Sequence, residues 1–134
     1  MIENQKAQFV GDKSIPREHI FTPDGAKALV KLAERDDAYY QNWNIPASDV
    51  ITGQELIHII RKLTNNQKKV TTITKNMLRF VGLFNRQMRE FVEMQYLNEE
   101  PVILNGDKYE KNIGLLPKTS YEEGIKVTVE AFHR

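Results

Sequence analysis

The sequence predicts an α/β chain in which helices outweigh strands, and three observations predict it. Apolar residues recur at helical spacing in several separate stretches, short β-branched or aromatic runs stand between them, and hydroxyl or acidic residues sit where helices would begin. Only three or four short strands can be placed, too few for a complete doubly wound sheet. At 134 residues the chain fits one domain with a real core. No linker, repeat or low-complexity tract divides it, so residues 1–134 read as a single domain.

Ala7, Gln8, Phe9 and Val10 make a first strand stopped by Gly11 and Asp12, and residues 13–23 read as loop with a brief extended piece at His19, Ile20 and Phe21. Asp24 is the expected N-cap of a first helix, with Ala26, Leu29, Val30, Leu32 and Ala33 on its inner face. Residues 42–45, Asn-Trp-Asn-Ile, read as a strand stopped by Pro46. Thr52-Gly53-Gln54-Glu55 is a capping box, in which the threonine hydroxyl and the glutamate carboxylate each satisfy an amide at the helix start. The helix it opens carries Leu56, Ile59, Ile60 and Leu63 on one face, with Ile57 at the margin.

Residues 70–73 are β-branched and make a further strand. Two helices follow, over residues 75–82 and 85–98, the second with Met88, Phe91, Val92 and Tyr96 as its buried stripe. Residues 102–104 read as a short strand and residues 107–112 as a short helix ended by Gly114. Thr119 starts a last helix, with Glu122 and Glu123 in its first turn and His133 and Arg134 at its end, charges that suit the helix dipole. Its inner face is Tyr121, Ile125, Val129 and Phe132.

Composition narrows the function classes. The chain is 40% apolar and 28% charged with a net charge of +1, which gives no electrostatic reason to expect nucleic acid or an anionic membrane as partner. It has no cysteine, which removes thiolate nucleophiles and cysteine-ligated metals. The polar N-terminus is not a signal peptide and no apolar run is long enough for a bilayer, so a cytoplasmic location is the default expectation.

Three segments, in order along the chain, carry a family resemblance. The first is Gly11-Asp12 followed by Arg17-Glu18-His19-Ile20-Phe21-Thr22-Pro23-Asp24-Gly25-Ala26. The second is Asn42-Trp43-Asn44-Ile45 followed by Thr52-Gly53-Gln54-Glu55-Leu56. The third, the most specific, is residues 107–114 with Pro117, Thr119, Glu122, Glu123, Gly124, Ile125 and Thr128. Together they resemble the C-terminal, substrate-binding part of the NAD-dependent epimerase/dehydratase family, the extended short-chain dehydrogenases. His19, where the family usually has phenylalanine, and Gly25, where it has an apolar residue, depart from the pattern.

The resemblance implies a parent enzyme that uses NAD or NADP, and what is missing decides the chemistry. Members hold the dinucleotide on a glycine-rich turn at a helix N-terminus. The seven glycines, at 11, 25, 53, 82, 106, 114 and 124, include no such spacing. The family also uses a tyrosine with a lysine four residues later as its acid/base pair. Four positions after Tyr39, Tyr40, Tyr96, Tyr109 and Tyr121 stand Trp43, Asn44, Glu100, Ile113 and Ile125. The expectation is a fragment that lacks its Rossmann domain, has no catalytic residue, binds no cofactor alone, and meets a small-molecule substrate only with that domain. The other reading is a free-standing, non-catalytic binding or interaction module of the same fold.

Two residues are candidate substrate contacts. Arg17 aligns with an arginine that in the sugar-nucleotide members contacts the substrate diphosphate, a bidentate role suited to guanidinium, against the plainer reading of a surface arginine. Trp43 could line the substrate cleft, though core packing is the commoner fate of a tryptophan. His19, His58 and His133 are dispersed and support no metal site or triad. The apolar run from Met77 to Met88 reads as packing between two helices rather than a cleft cover, and the basic stretch from Arg61 to Lys75 as a solvated turn. Detached from its partner domain, the chain is expected to expose apolar surface and to self-associate.

Overall fold

The computed structural model describes residues 7–93 and 100–132. Two small sheets organise it. Strand β1 (Gln8–Val10) pairs in parallel with β4 (Thr71–Ile73), placing Phe9 opposite Thr72. Strand β2 (Pro16–Arg17) pairs antiparallel with β3 (Ile51–Thr52), placing Arg17 opposite Ile51. The parallel pair is extended at its end by Gly11, whose φ of 85° turns the chain while its N–H still reaches the Ile73 carbonyl at 3.1 Å. A long-range tie from Lys13 Nζ to the Val70 carbonyl, 3.0 Å, holds the following loop against the same strand.

Helices fill the rest: α1 (Thr22–Ala33), α2 (Gly53–Thr64), α3 (Lys75–Gly82), α4 (Arg86–Glu93), α5 (Asp107–Asn112) and α6 (Tyr121–Ala131), with a 3-10 turn at Asp36–Ala38. The α/β, helix-rich class with a few short strands and no doubly wound sheet is what the sequence predicts. No helix among the described residues is long and apolar enough to cross a membrane.

The capping box forms as expected. The Thr52 hydroxyl accepts the Glu55 N–H and the Glu55 carboxylate accepts the Thr52 N–H at 2.8 Å. Helix α1 starts three residues earlier than expected, because Pro23 suits the first turn and Phe21 is the capping position. Asp24 is therefore not the cap. It lies buried in the first turn, where its carboxylate accepts the Thr119 N–H at 2.6 Å and pins the start of the last helix to the first. The cap of α6 is Ser120, one residue beyond the expected Thr119, with its hydroxyl accepting the Glu123 N–H.

The core joins α1, α5 and the loops around them. Ala28, Tyr109 and Leu116 are buried together, with Leu32, Trp43, Ile45 and Ile113 packed against them. Tyr109 is fully enclosed and its hydroxyl donates to the Ala28 carbonyl at 3.1 Å, so the polar tip is satisfied inside the apolar body. Gly114 ends this region with φ 125°, a conformation closed to side-chain-bearing residues.

Two expected strands do not form. Residues 42–45 are extended but unpaired: the Asn42 carbonyl accepts Lys108 Nζ at 3.0 Å and the Trp43 indole donates to the Ala38 carbonyl at 2.9 Å. Residues 102–104 likewise pair with no strand, and the Leu104 N–H goes to the Glu18 carboxylate at 3.0 Å. The extended piece at residues 19–21 is not in a sheet; pairing occurs just upstream, in β2. On α2 the deeply buried residue is Ile57, not the expected Leu63; it lies one turn after the buried Gly53 on the same row of the helix. On α6 Phe132 stays exposed, and Gly124 and Val129 are the buried positions. Val92 is half-buried as expected, whereas the side chains of Met88 and Phe91, and the whole of Tyr96, His133 and Arg134, lie outside what is described.

Candidate functional site

A well-formed concavity is built by three segments: the His19–Ile20–Phe21 loop, α2 and α6. Its volume is about 640 Å³, within the range of small-ligand or side-chain clefts. Leu56 and Ile60 form the α2 wall, and Ile125 and Val129 the α6 wall. The floor is narrow because Gly124 meets the Phe21 ring, where an added Cβ would come within 3.2 Å. Both apolar faces are readable from periodicity. That they oppose each other and leave a gap is not, because the pairing depends on the Asp24–Thr119 tie across 95 residues.

Polar groups cluster at the α6 N-terminal end of the cleft, and those of Tyr121 and Ser120 are bonded within the chain. The Tyr121 hydroxyl donates to the Asp49 carbonyl at 2.7 Å and accepts the His19 N–H at 3.0 Å. Burial raises the Tyr121 pKa above that of a free phenol, with Glu18 and Asp49 adding to the rise and the His19 hydrogen bond opposing it. A phenol held protonated in this way is a structural strut rather than a base. His19 shifts the other way: burial lowers its pKa, and the positive charge of Arg17 lowers it further, so at neutral pH the imidazole is uncharged. The Thr128 hydroxyl turns back to the Gly124 carbonyl at 2.7 Å. Among the described residues, no Asp, Glu, Lys or Arg lines the cleft.

A second, shallower cleft lies on the other side of Tyr121, between Asp49–Val50 and the outer face of α2, and carries His58 and Glu55. A third, more polar one lies between the Pro46–Val50 loop, the segment before α5, and Glu18 with Lys118. Among the described residues no group of His, Asp and Glu side chains is arranged to hold a metal ion.

Arg17 sits on β2, half-buried, with its guanidinium 5.9 Å from the centre of the Phe9 ring. The other side of that ring lies against Gly53 at the start of α2. Trp43 packs edge-on against Tyr109, with centroids 6.3 Å apart at 86°, and Lys108 Nζ stands 4.4 Å over its ring. These contacts place Trp43 against the core, and neither it nor Arg17 lines any of the three clefts. The cleft residues His19, Ile20 and Phe21 were not singled out as a site by sequence, since nothing in their local pattern separates a cleft lip from a surface loop.

A dinucleotide has no evident seat on the described residues. Phosphates bind at helix N-termini that follow a strand, and the described residues include two such turns, β3 into α2 and β4 into α3. At the first, the Thr52 and Glu55 side chains cap the amides and place a carboxylate where a pyrophosphate would have to sit. At the second, the Thr74 hydroxyl accepts the Met77 N–H. These residues do not fit the cofactor.

No known protein family matches the sequence, and no curated protein matches it. A solved structure does: UDP-glucose 4-epimerase with UDP-glucose, from the hyperthermophilic eubacterium Thermotoga maritima, at a TM-score of 0.70 and 20% identity. The match takes in 99% of this chain and 36% of the epimerase chain, so this chain spans about a third of the structure it resembles. It has the fold of a part of that epimerase.

Proposed function

We propose that these 134 residues are the substrate-binding portion of an NAD(P)-dependent epimerase, dehydratase or reductase, acting on a sugar nucleotide or a related carbonyl or alcohol substrate. The observation that carries this reading is the fold match over 99% of the chain to part of an epimerase solved with UDP-glucose. In this reading Arg17 holds the substrate's diphosphate as a cation fixed on a paired strand, and Trp43 stiffens the adjoining loop or contacts the substrate directly. The hydride carrier and the acid/base pair come from a cofactor domain, so the chain by itself turns over no substrate. The two strand-to-helix turns support this, since both are closed by their own caps.

Calorimetric titration of the 134-residue chain with NAD, NADP and UDP-glucose tests the proposal. The expected result is no dinucleotide binding and weak UDP-sugar binding that Arg17→Gln abolishes. A dinucleotide Kd below about 100 μM, near −5.5 kcal/mol, would refute it.

A second reading is favoured by one observation: the 640 Å³ cleft is assembled from this chain's own elements. A free-standing, non-catalytic binding module would use it. Unaltered UDP-sugar affinity in Arg17→Gln, together with a stable monomer, would favour that reading.

A further inference from the structure

We infer that the Asn105–Gly106 peptide is a site of spontaneous deamidation in the folded chain, and that the modified product loosens the core around Tyr109.

Asparagine followed by glycine occurs once in the sequence, at these two positions. A glycine carries no Cβ to shield its own nitrogen, so that nitrogen can approach the preceding side chain. Asn105 is exposed. Among the described residues the Gly106 N–H donates to no acceptor, whereas the Gly106 carbonyl accepts the Glu110 N–H at 3.1 Å. The Gly106 nitrogen is therefore open to deprotonation by solvent. Asp24–Gly25 is a useful contrast. There the glycine N–H is donated to the Phe21 carbonyl at 3.2 Å and the carboxylate is held by the Thr119 amide, so the same geometry is closed.

The Asn105 side chain is also set for attack. Its Oδ1 accepts the Asp107 N–H at 2.7 Å, which folds the side chain back along the Gly106 peptide. The same N–H points at the oxygen on which negative charge grows when Cγ is attacked, and a donor so placed favours that step. The deprotonated Gly106 nitrogen bonds to Cγ, the Cγ–Nδ2 bond breaks, and Nδ2 takes up a proton and leaves as ammonia. One water then opens the cyclic imide. Opening at Cγ gives aspartate; opening at the main-chain carbonyl gives isoaspartate, in which the chain runs through the former side chain.

Packing keeps this reactive pair in place. A Cβ on Gly106 would lie 2.8 Å from Pro46 Cγ and 2.9 Å from Leu116 Cδ1, so the approach that seats Leu116 in the core requires glycine. In the product, the Asn105 Nδ2 that donates to the Asp107 carboxylate at 3.1 Å is gone, and two like charges face each other. An isoaspartyl link also lengthens the main chain by one carbon, which displaces Gly106 from Pro46 and Leu116. Lys108, over the Trp43 ring, and Tyr109, at the core centre, follow two and three residues later, and a close-packed interior transmits the shift to them.

The test incubates the whole chain in mildly alkaline buffer beside a synthetic peptide of residues 102–108, and follows both by mass spectrometry. The expected result is a gain of about one dalton located at residue 105, with isoaspartate exceeding aspartate, at a rate within tenfold of the peptide's and rising with pH. Asn105→Gln, whose side chain would have to close a larger ring, should abolish it. No conversion at residue 105 by the time the peptide is half converted, or conversion to aspartate alone, would overturn the inference. The converted fraction, separated by anion exchange on its added negative charge, should lose its native Trp43 emission at lower urea than the unconverted chain. Equal midpoints would overturn the coupling to the core.

Discussion

Replacing Gly53 with alanine should reverse its effect on stability according to what stands at position 9. In the native chain a Cβ at Gly53 would lie 2.5 Å from Phe9 Cζ and 2.7 Å from Cε2, well inside contact distance. Phe9 cannot easily retreat, since it is fixed on β1 opposite Thr72 and has the Arg17 guanidinium near its ring. Overpacking of this kind costs about 1–3 kcal/mol. Against it stands the gain of alanine over glycine in a helix, about 0.5–1 kcal/mol in an interior position and less in the first turn. The net expectation is a loss of roughly 1–2 kcal/mol. In a Phe9→Ala background the clash is gone, and the same substitution should stabilise by a few tenths of a kcal/mol. Urea denaturation followed by circular dichroism on all four members of the cycle gives the coupling directly. A Gly53→Ala variant that is stabilised in the native chain, or an effect that ignores residue 9, would refute the packing argument.

Further predictions follow from the core and the caps. Tyr109→Phe removes the bond to Ala28 and should cost about 1 kcal/mol, whereas Tyr109→Ala empties the core centre and should cost about 3–5 kcal/mol, both by denaturant titration. Asp24→Ala leaves the half-buried Thr119 N–H without its acceptor and should cost about 1–3 kcal/mol, with hydrogen exchange at Thr119 rising sharply. The Glu55 carboxyl has its pKa lowered by the Thr52 amide and hydroxyl, so the fold binds this proton less readily than the unfolded chain. Its contribution is present above the ordinary carboxylate range and lost as pH falls through the folded pKa, a dependence that Thr52→Ala should weaken without abolishing in acid titrations, since the Thr52 amide, the larger cause, remains. His19, lowered by burial first and Arg17 second, should titrate below its ordinary value by NMR. Arg17→Gln should move it only part of the way back, and a full return would assign the shift to charge rather than burial.

What the sequence reveals follows the range of the forces involved. The Thr52–Glu55 box is confined to four residues and is read correctly, as are the β-branched strand before α3 and the short helix before Gly114. Residues 42–45 have strand composition but a strand is a relation between two segments, and here Lys108 and Ala38 take up polar groups of that stretch. The start of α1 was misplaced because Asp24 has a capping side chain, yet its carboxylate is spent on an amide 95 residues away. The cleft fails to show for the same reason: each wall is periodic, but the distance between walls is set by long-range contacts. Arg17 and Trp43 could be named only through the family resemblance, since an arginine before an acidic residue and a tryptophan beside asparagines carry no chemistry by themselves.

The placement of Trp43 has a spectroscopic consequence. It is the chain's sole tryptophan, and its indole is held by Ala38, Tyr109 and Lys108 at the α1–α5 end. Its emission is thus a reporter of one half of the molecule: fluorescence will follow the loosening of the Tyr109 core and remain silent to events at the α2–α6 end, while circular dichroism registers both. Melting curves recorded by the two signals coincide if the halves unfold together and separate if they do not, so the native chain carries its own test of cooperativity without an added label.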